Sequence, residues 1–163
     1  MYDDSKVGKF IVFKIADYHL ALPMSDVIKV VNCSPMVSSG LKTMGVIQLG
    51  HHMIRVLDLH EQLSSGGSDQ LPNDPPFLVI IRGSGGELCG IAVEKPPNLV
   101  ELPLEIMRTL PKSDHYDKPA LNLVSHAAVV SQENVTTTIF LLDVKRVLNS
   151  SINDSHPLAL KSS

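Results

Sequence analysis

The sequence predicts a mainly β chain built from a duplicated module, on three observations. The phrase Val56-Leu57-Asp58-Leu59 with Leu63 returns as Leu141-Leu142-Asp143-Val144 with Leu148. The openings of the two halves also agree, Phe10-Ile11-Val12-Phe13-Lys14-Ile15 then Leu20-Ala21-Leu22 against Phe77-Leu78-Val79-Ile80-Ile81 then Cys89-Gly90-Ile91. Finally, tryptophan is absent and aromatic residues make up 4% of the chain, while Val, Ile and Leu abound. The core must therefore be aliphatic and built mainly from β-branched strands.

Residues 9 to 31 read as a hairpin across Ala16-Asp17-Tyr18-His19, a break at Pro23, and a strand from Val27 to Val31 where β-branched residues outweigh the helix-like Ser25-Asp26 start. After a polar, small-residue stretch come strands Met44 to Leu49 and Met53 to Leu57, and Asp58 caps a short helix ending near Leu63. Residues 64–75 are rich in Gly, Ser and Pro and read as a linker between sequence halves 9–63 and 76–148. The second half runs through strands Phe77 to Ile81 and Leu88 to Val93, joined by Gly83-Ser84-Gly85-Gly86. Extended structure resumes at Asn98 to Leu102, and Pro103 suits the first position of a helical turn over Leu104 to Leu110. Strands Leu123 to Ser131 and Thr136 to Leu142 follow, and Asp143 caps a second helix to about Leu148. The Ser-rich tail, 149–163, reads as flexible.

At 163 residues the chain is long enough to hold a core without staples. Cys33 and Cys89 lie in different halves with no metal-ligand spacing, which predicts reduced, buried thiols. The amino terminus lacks a secretory pattern and no apolar run approaches a membrane span, so a cytoplasmic address and no direct membrane insertion are expected. Net charge is -3 and the basic residues are scattered as singles, which argues against nucleic acid as a partner.

Groups that invite chemistry have plainer readings. His51, His52 and His60 lack a carboxylate or thiol to complete a ligand set and read as solvent-exposed turn histidines. The glycines from Gly83 to Gly86 join two strands, with no following helix to bind a phosphate. Asp58 and Asp143 occupy equivalent points of a repeat as paired acid-base carboxylates would, yet helix capping explains both. Ser25, Asp26, His115 and Cys89 carry no spacing that places a nucleophile beside a base. A small metal-dependent hydrolase is thus the rival class, and a non-catalytic binding role leads.

Taken together, Lys9 to Ile15, Leu20-Ala21-Leu22-Pro23, Val27 to Val31, Gly45-Val46-Ile47-Gln48-Leu49-Gly50-His51 and Arg55-Val56-Leu57-Asp58-Leu59 resemble the CheW-like family of chemotaxis adaptors. Gly90-Ile91-Ala92-Val93-Glu94 and Phe140-Leu141-Leu142-Asp143 look like its second-half phrases, so the likeness runs from Lys9 to Leu148. It implies two SH3-like five-stranded β-barrel subdomains with short helices in a single domain over 1–163, no cofactor and no enzymatic activity. The implied partners are a chemoreceptor's cytoplasmic tip and the regulatory domain of a histidine kinase.

Carried onto this chain, the resemblance makes Val27, Lys29, Val31, Gly50 and Val93 candidates for a receptor groove, and Met24, Met44 and Met53 candidates for the kinase interface. Gly50 stands where the family has Arg, His51 where it has Gly, and Lys29 where it has an acidic residue. These departures imply a changed or lost receptor contact, since no repacking restores an arginine's planar set of donors. The same resemblance allows a kinase-only competitor or regulator. Whether the two halves exchange strands stays open at this level.

Overall fold

The computed structural model describes residues 6–32, 46–49, 51–63, 77–83, 85–111 and 122–149. Strands β1 (Val7–Ile15) and β2 (Tyr18–Pro23) form the first hairpin, and a 3-10 turn at Met24–Asp26 leads into β3 (Val27–Asn32). A second hairpin, β4 (Val46–Leu49) with β5 (His52–Leu57), runs into a short helix, His60–Leu63. β6 (Phe77–Arg82) and β7 (Leu88–Val93) form the third hairpin, followed by β8 (Asn98–Pro103) and a 3-10 turn at Leu104–Ile106. The two-residue strand β9 (Arg108–Thr109) precedes the last hairpin, β10 (Val124–Gln132) with β11 (Val135–Leu142), and a helix at residues 144–149. Where a helical turn was expected from Leu104 to Leu110, the chain makes one 3-10 turn and extends again, because β9 pairs with β10 through His126 and Ala127. The expected linker, Cys33, and the tail beyond Asn149 lie outside the described residues.

Two sheets result, one in the order β8-β1-β2-β11-β10-β9 and the other β3-β6-β7-β5-β4. The mainly β class and the two five-stranded units are present, with β9 an added edge strand. Each unit is a composite: β1 and β2 sit with strands of the second half, and β6 and β7 sit with strands of the first. The exchange is reciprocal and respects the repeat. Arg55 on β5 faces Cys89 on β7, and their equivalents Phe140 on β11 and Leu20 on β2 face each other in the other parallel ladder. Sequence halves are therefore not spatial lobes.

Burial follows from this arrangement. Ile47, Ile54, Leu78, Ile80 and Ala92 fill the inside of the five-stranded sheet, with Val31 of its first strand packed on the same cluster. A sheet whose two edge strands, β3 and β4, share one cluster must curl around it. Phe10, Val12, Ala21, Leu102 and Ile139 do the same for the six-stranded sheet. The opposite faces meet in a larger shared core that contains Phe13, Leu22, Leu57, Val79, Ile91 and Leu142. With both faces covered, β6 and β7 read as continuous apolar runs rather than alternating ones. Gly90 belongs to this packing, since a Cβ there would stand 3.2 Å from Ile80 and 3.3 Å from Ile54 and Leu78.

Both aspartates of the repeat cap helices. Asp143 Oδ1 accepts the N–H groups of Lys145 at 3.0 Å and Arg146 at 3.3 Å. Asp58 Oδ1 accepts the His60 N–H at 3.0 Å and also lies 3.2 Å from His60 Nδ1. The expectation of three exposed histidines holds for His51 and His52 and fails for His60, which is 4% exposed because its ring turns inward under the capping carboxylate. Among the described residues no group of three His, Cys, Asp or Glu is placed to hold a metal ion.

Three outcomes follow. Asp143→Ala should cost about 1 kcal/mol, the worth of a cap, in urea unfolding. Asp58→Ala should cost more, since it also strips a buried imidazole of its partner, a loss of roughly 1–3 kcal/mol. The β10–β11 hairpin turns through Glu133 and Asn134 at φ 48° and 68°, so Glu133→Asn with Asn134→Gly should raise stability by roughly 1 kcal/mol.

Burial pushes the Cys89 thiol above its ordinary value of 9.0, the Glu87 carboxylate adds to the rise and Arg55 opposes it. The unfolded thiol ionises first as pH climbs, so its contribution to stability is complete below about pH 9 and falls above it. Cys89→Ala should flatten stability against pH in that alkaline window relative to the parent.

Candidate functional site

Two hollows open at the described surface, and each leads into one of the curled sheets. The first, about 340 Å³, is lined by Ile28, Lys29, His52, Ile54, Ile80, Arg82, Gly86 and Leu88. Ile54 and Ile80 belong to the inner core of the five-stranded sheet, so the hollow is the mouth of that half-barrel. A β-bulge explains its composition. The β3–β6 register shifts between Val27 and Lys29, which lets the adjacent residues Ile28 and Lys29 border the same hollow where strict alternation would part them. Arg82 ends β6 at the rim and donates to the Gly86 carbonyl at 3.3 Å.

The second hollow, about 670 Å³, is more apolar and lies against the other sheet. It is lined by Gly8, Lys9, Phe10, Pro23, Met24, Ser25, Leu104, Met107, Thr109, His126 and Leu141. β1 lies between β2 and β8, pairing Phe10 with Pro23 on one side and Val7 with Pro103 on the other. Each proline starts a 3-10 turn, so Met24 and Leu104 rise beside the opening of β1, 43% and 44% exposed. Gly8 keeps the hollow open, because a Cβ there would stand 2.9 Å from Leu104 and from Phe10. His126 on its wall accepts or donates a 2.7 Å hydrogen bond with the Ser125 hydroxyl.

The residues singled out from the sequence are divided among these places. Lys29 stands at the cationic mouth and Met24 at the apolar hollow, while Met53 is exposed on β5 between His52 and Ile54. Val27, Lys29 and Val31 do not form one face. The bulge turns Val27 toward the shared core, and Val31 packs on the inner cluster instead. Val93 departs furthest from its expected place, being fully buried in the shared core because both faces of β7 are covered. Gly50 and Met44 lie outside the described residues.

Sequence reasoning missed Arg82, Leu104 and Met107. A signal for Leu104 existed in the matching Pro-started turns at Pro23 and Pro103, but only the pairing of β1 with both strands brings them together. No helix among the described residues is long and apolar enough to cross a membrane.

Comparison with known proteins agrees with this geometry. A comparison with curated proteins finds no match. Among solved structures, the scaffolding protein TtCheW from Thermoanaerobacter tengcongensis shares the fold with a TM-score of 0.60 at 18% identity, over 83% of this chain and 88% of that one. The model of the CheW-like domain matches residues 9–151, which takes in all but the first two residues of β1, every other strand and both helices described above. The chain belongs to the CheW-like domain family.

Proposed function

We propose that this chain is a cytoplasmic, non-enzymatic adaptor that couples a chemoreceptor's cytoplasmic tip to the regulatory domain of a histidine kinase. The match to the CheW-like domain over residues 9–151 is the observation that carries this reading. The layout supports it, because the two hollows offer distinct docking places of different chemistry on one two-sheet body. The apolar hollow takes the kinase. Its exposed Met24 is a soft, adaptable contact, and Leu104 offers a second apolar surface beside it. The receptor groove is the β3 side of the molecule with Lys29 exposed, joined in sequence terms by Gly50.

A second reading, a kinase-binding regulator that has given up the receptor, is favoured by one feature. Lys29 is an exposed cation on that side, where the family resemblance leads one to expect a carboxylate. A pull-down with receptor tip fragments separates the two, since only the coupling adaptor retains them.

Titration of the full chain with a purified kinase regulatory domain is the primary test, and no binding near physiological salt would end the adaptor reading. Met24→Glu should weaken kinase binding by about tenfold or more, as expected for a charge placed at an apolar contact. The same variant should keep its thermal unfolding midpoint, because Met24 is 43% exposed. Gly50→Arg should strengthen capture of the receptor fragment and leave kinase affinity unchanged.

A further inference from the structure

We infer that the mouth bordered by Lys29, His52 and Arg82 above Ile54, Ile80 and Leu88 docks a partner-protein segment in which an Asp or Glu stands beside an apolar side chain. The inference rests on the adaptor reading and specifies the chemistry of one partner. Charge is the first argument. The chain carries 14 Lys and Arg against 17 Asp and Glu, yet among the described residues no acidic one lines this hollow. Among the described residues neither Lys29 nor Arg82 is held in an ion pair. Glu87, the carboxylate nearest in sequence, is turned back over the hairpin loop, where its Oε1 accepts the Gly85 N–H at 3.0 Å.

Among the described residues Arg82 makes one side-chain hydrogen bond, the donation to Gly86, which anchors the side chain at the rim and leaves most of its five donors for a carboxylate. An apolar-walled recess rimmed by cations concentrates its field outward, so an approaching acid is guided into it.

The floor is the second argument. Ile28, 43% exposed, and the half-buried Leu88 present apolar surface above the buried Ile54 and Ile80, which offers nothing to a bare anion and which an apolar side chain next to the acid would cover. At about 340 Å³ the hollow lies at the low end of the roughly 300–1,000 Å³ that encloses whole small molecules, which suits the side chains of a docked segment. The bulge in β3 supplies both halves of the recognition from consecutive residues, Ile28 apolar and Lys29 charged.

The test is a titration of the isotope-labelled full chain, followed by amide NMR shifts, with the peptide acetyl-Leu-Glu-Leu-Asp-Leu-amide and its neutral counterpart acetyl-Leu-Gln-Leu-Asn-Leu-amide. The acidic peptide should move the amides of Ile28, Lys29, Ile54 and Leu88 and bind roughly fivefold tighter than the neutral one. Lys29→Glu and Arg82→Glu, both at exposed positions, should each remove that preference while the spectrum stays dispersed. Equal shifts from both peptides, shifts centred elsewhere, or no saturable shift would overturn the inference. So would equal displacement of these amides by inorganic phosphate, which would mark an anion site without protein recognition. Kinase and receptor capture are measured on the same samples: their survival alongside a failed peptide preference sinks this inference alone, and their loss in the parent chain sinks the adaptor reading.

Discussion

The reciprocal exchange of strands between the two halves is the constraint on which the rest of this molecule depends. Parallel ladders β5–β7 and β11–β2 each tie a strand of one half to a hairpin of the other. Parallel neighbours cannot be joined by a tight turn, so each tie is necessarily a long-range contact. Neither half owns a complete sheet, and the two curled units fold as one body around the shared core. The same arrangement buries both faces of β6 and β7, which is why that hairpin is nearly all aliphatic and why Gly90 sits where a side chain would crowd Ile54 and Ile80.

Both hollows are consequences of the exchange. The apolar one exists because β1 is flanked by its own hairpin partner and by β8 from the other half, which sets two Pro-started turns on either side of one strand. The cationic one exists because β3 of the first half lies on β6 of the second, bringing Lys29 near Arg82. A molecule whose halves folded separately would have neither. The surfaces proposed for partners are thus made by pairing across the repeat, which ties them to global stability more closely than a site within one module would be.

Local features were legible in the sequence and the non-local ones were not. Asp58 and Asp143 were identifiable as caps because capping is decided within a few residues, and the register of the repeat survives in both parallel ladders. Strand order was not legible, since alternation and turn chemistry describe a strand without naming its neighbour. Where single residues lie elsewhere than the sequence led one to expect, the cause is that one or one close to it. Val93 was a groove candidate and double burial puts it in the core, while the bulge in β3 sends the candidates Val27 and Val31 to different clusters. His60 was read as exposed because an inward-turning imidazole under its own cap carries no sequence signature.

The two copies of the module have also come to serve opposite ends of their hairpins. In the β6–β7 pair the hollow lies at the turn end, where Arg82 and Leu88 face each other. In the β1–β2 pair it lies at the open end, beside Phe10 and Pro23. At the turn end of β1–β2, His19, the equivalent of Leu88, pairs with Lys14, and neither borders either hollow. A two-fold repeat used symmetrically would present the same surface twice and attract one kind of partner. Its opposite ends instead carry one cationic and one apolar hollow, two surfaces of unlike chemistry on a single small domain.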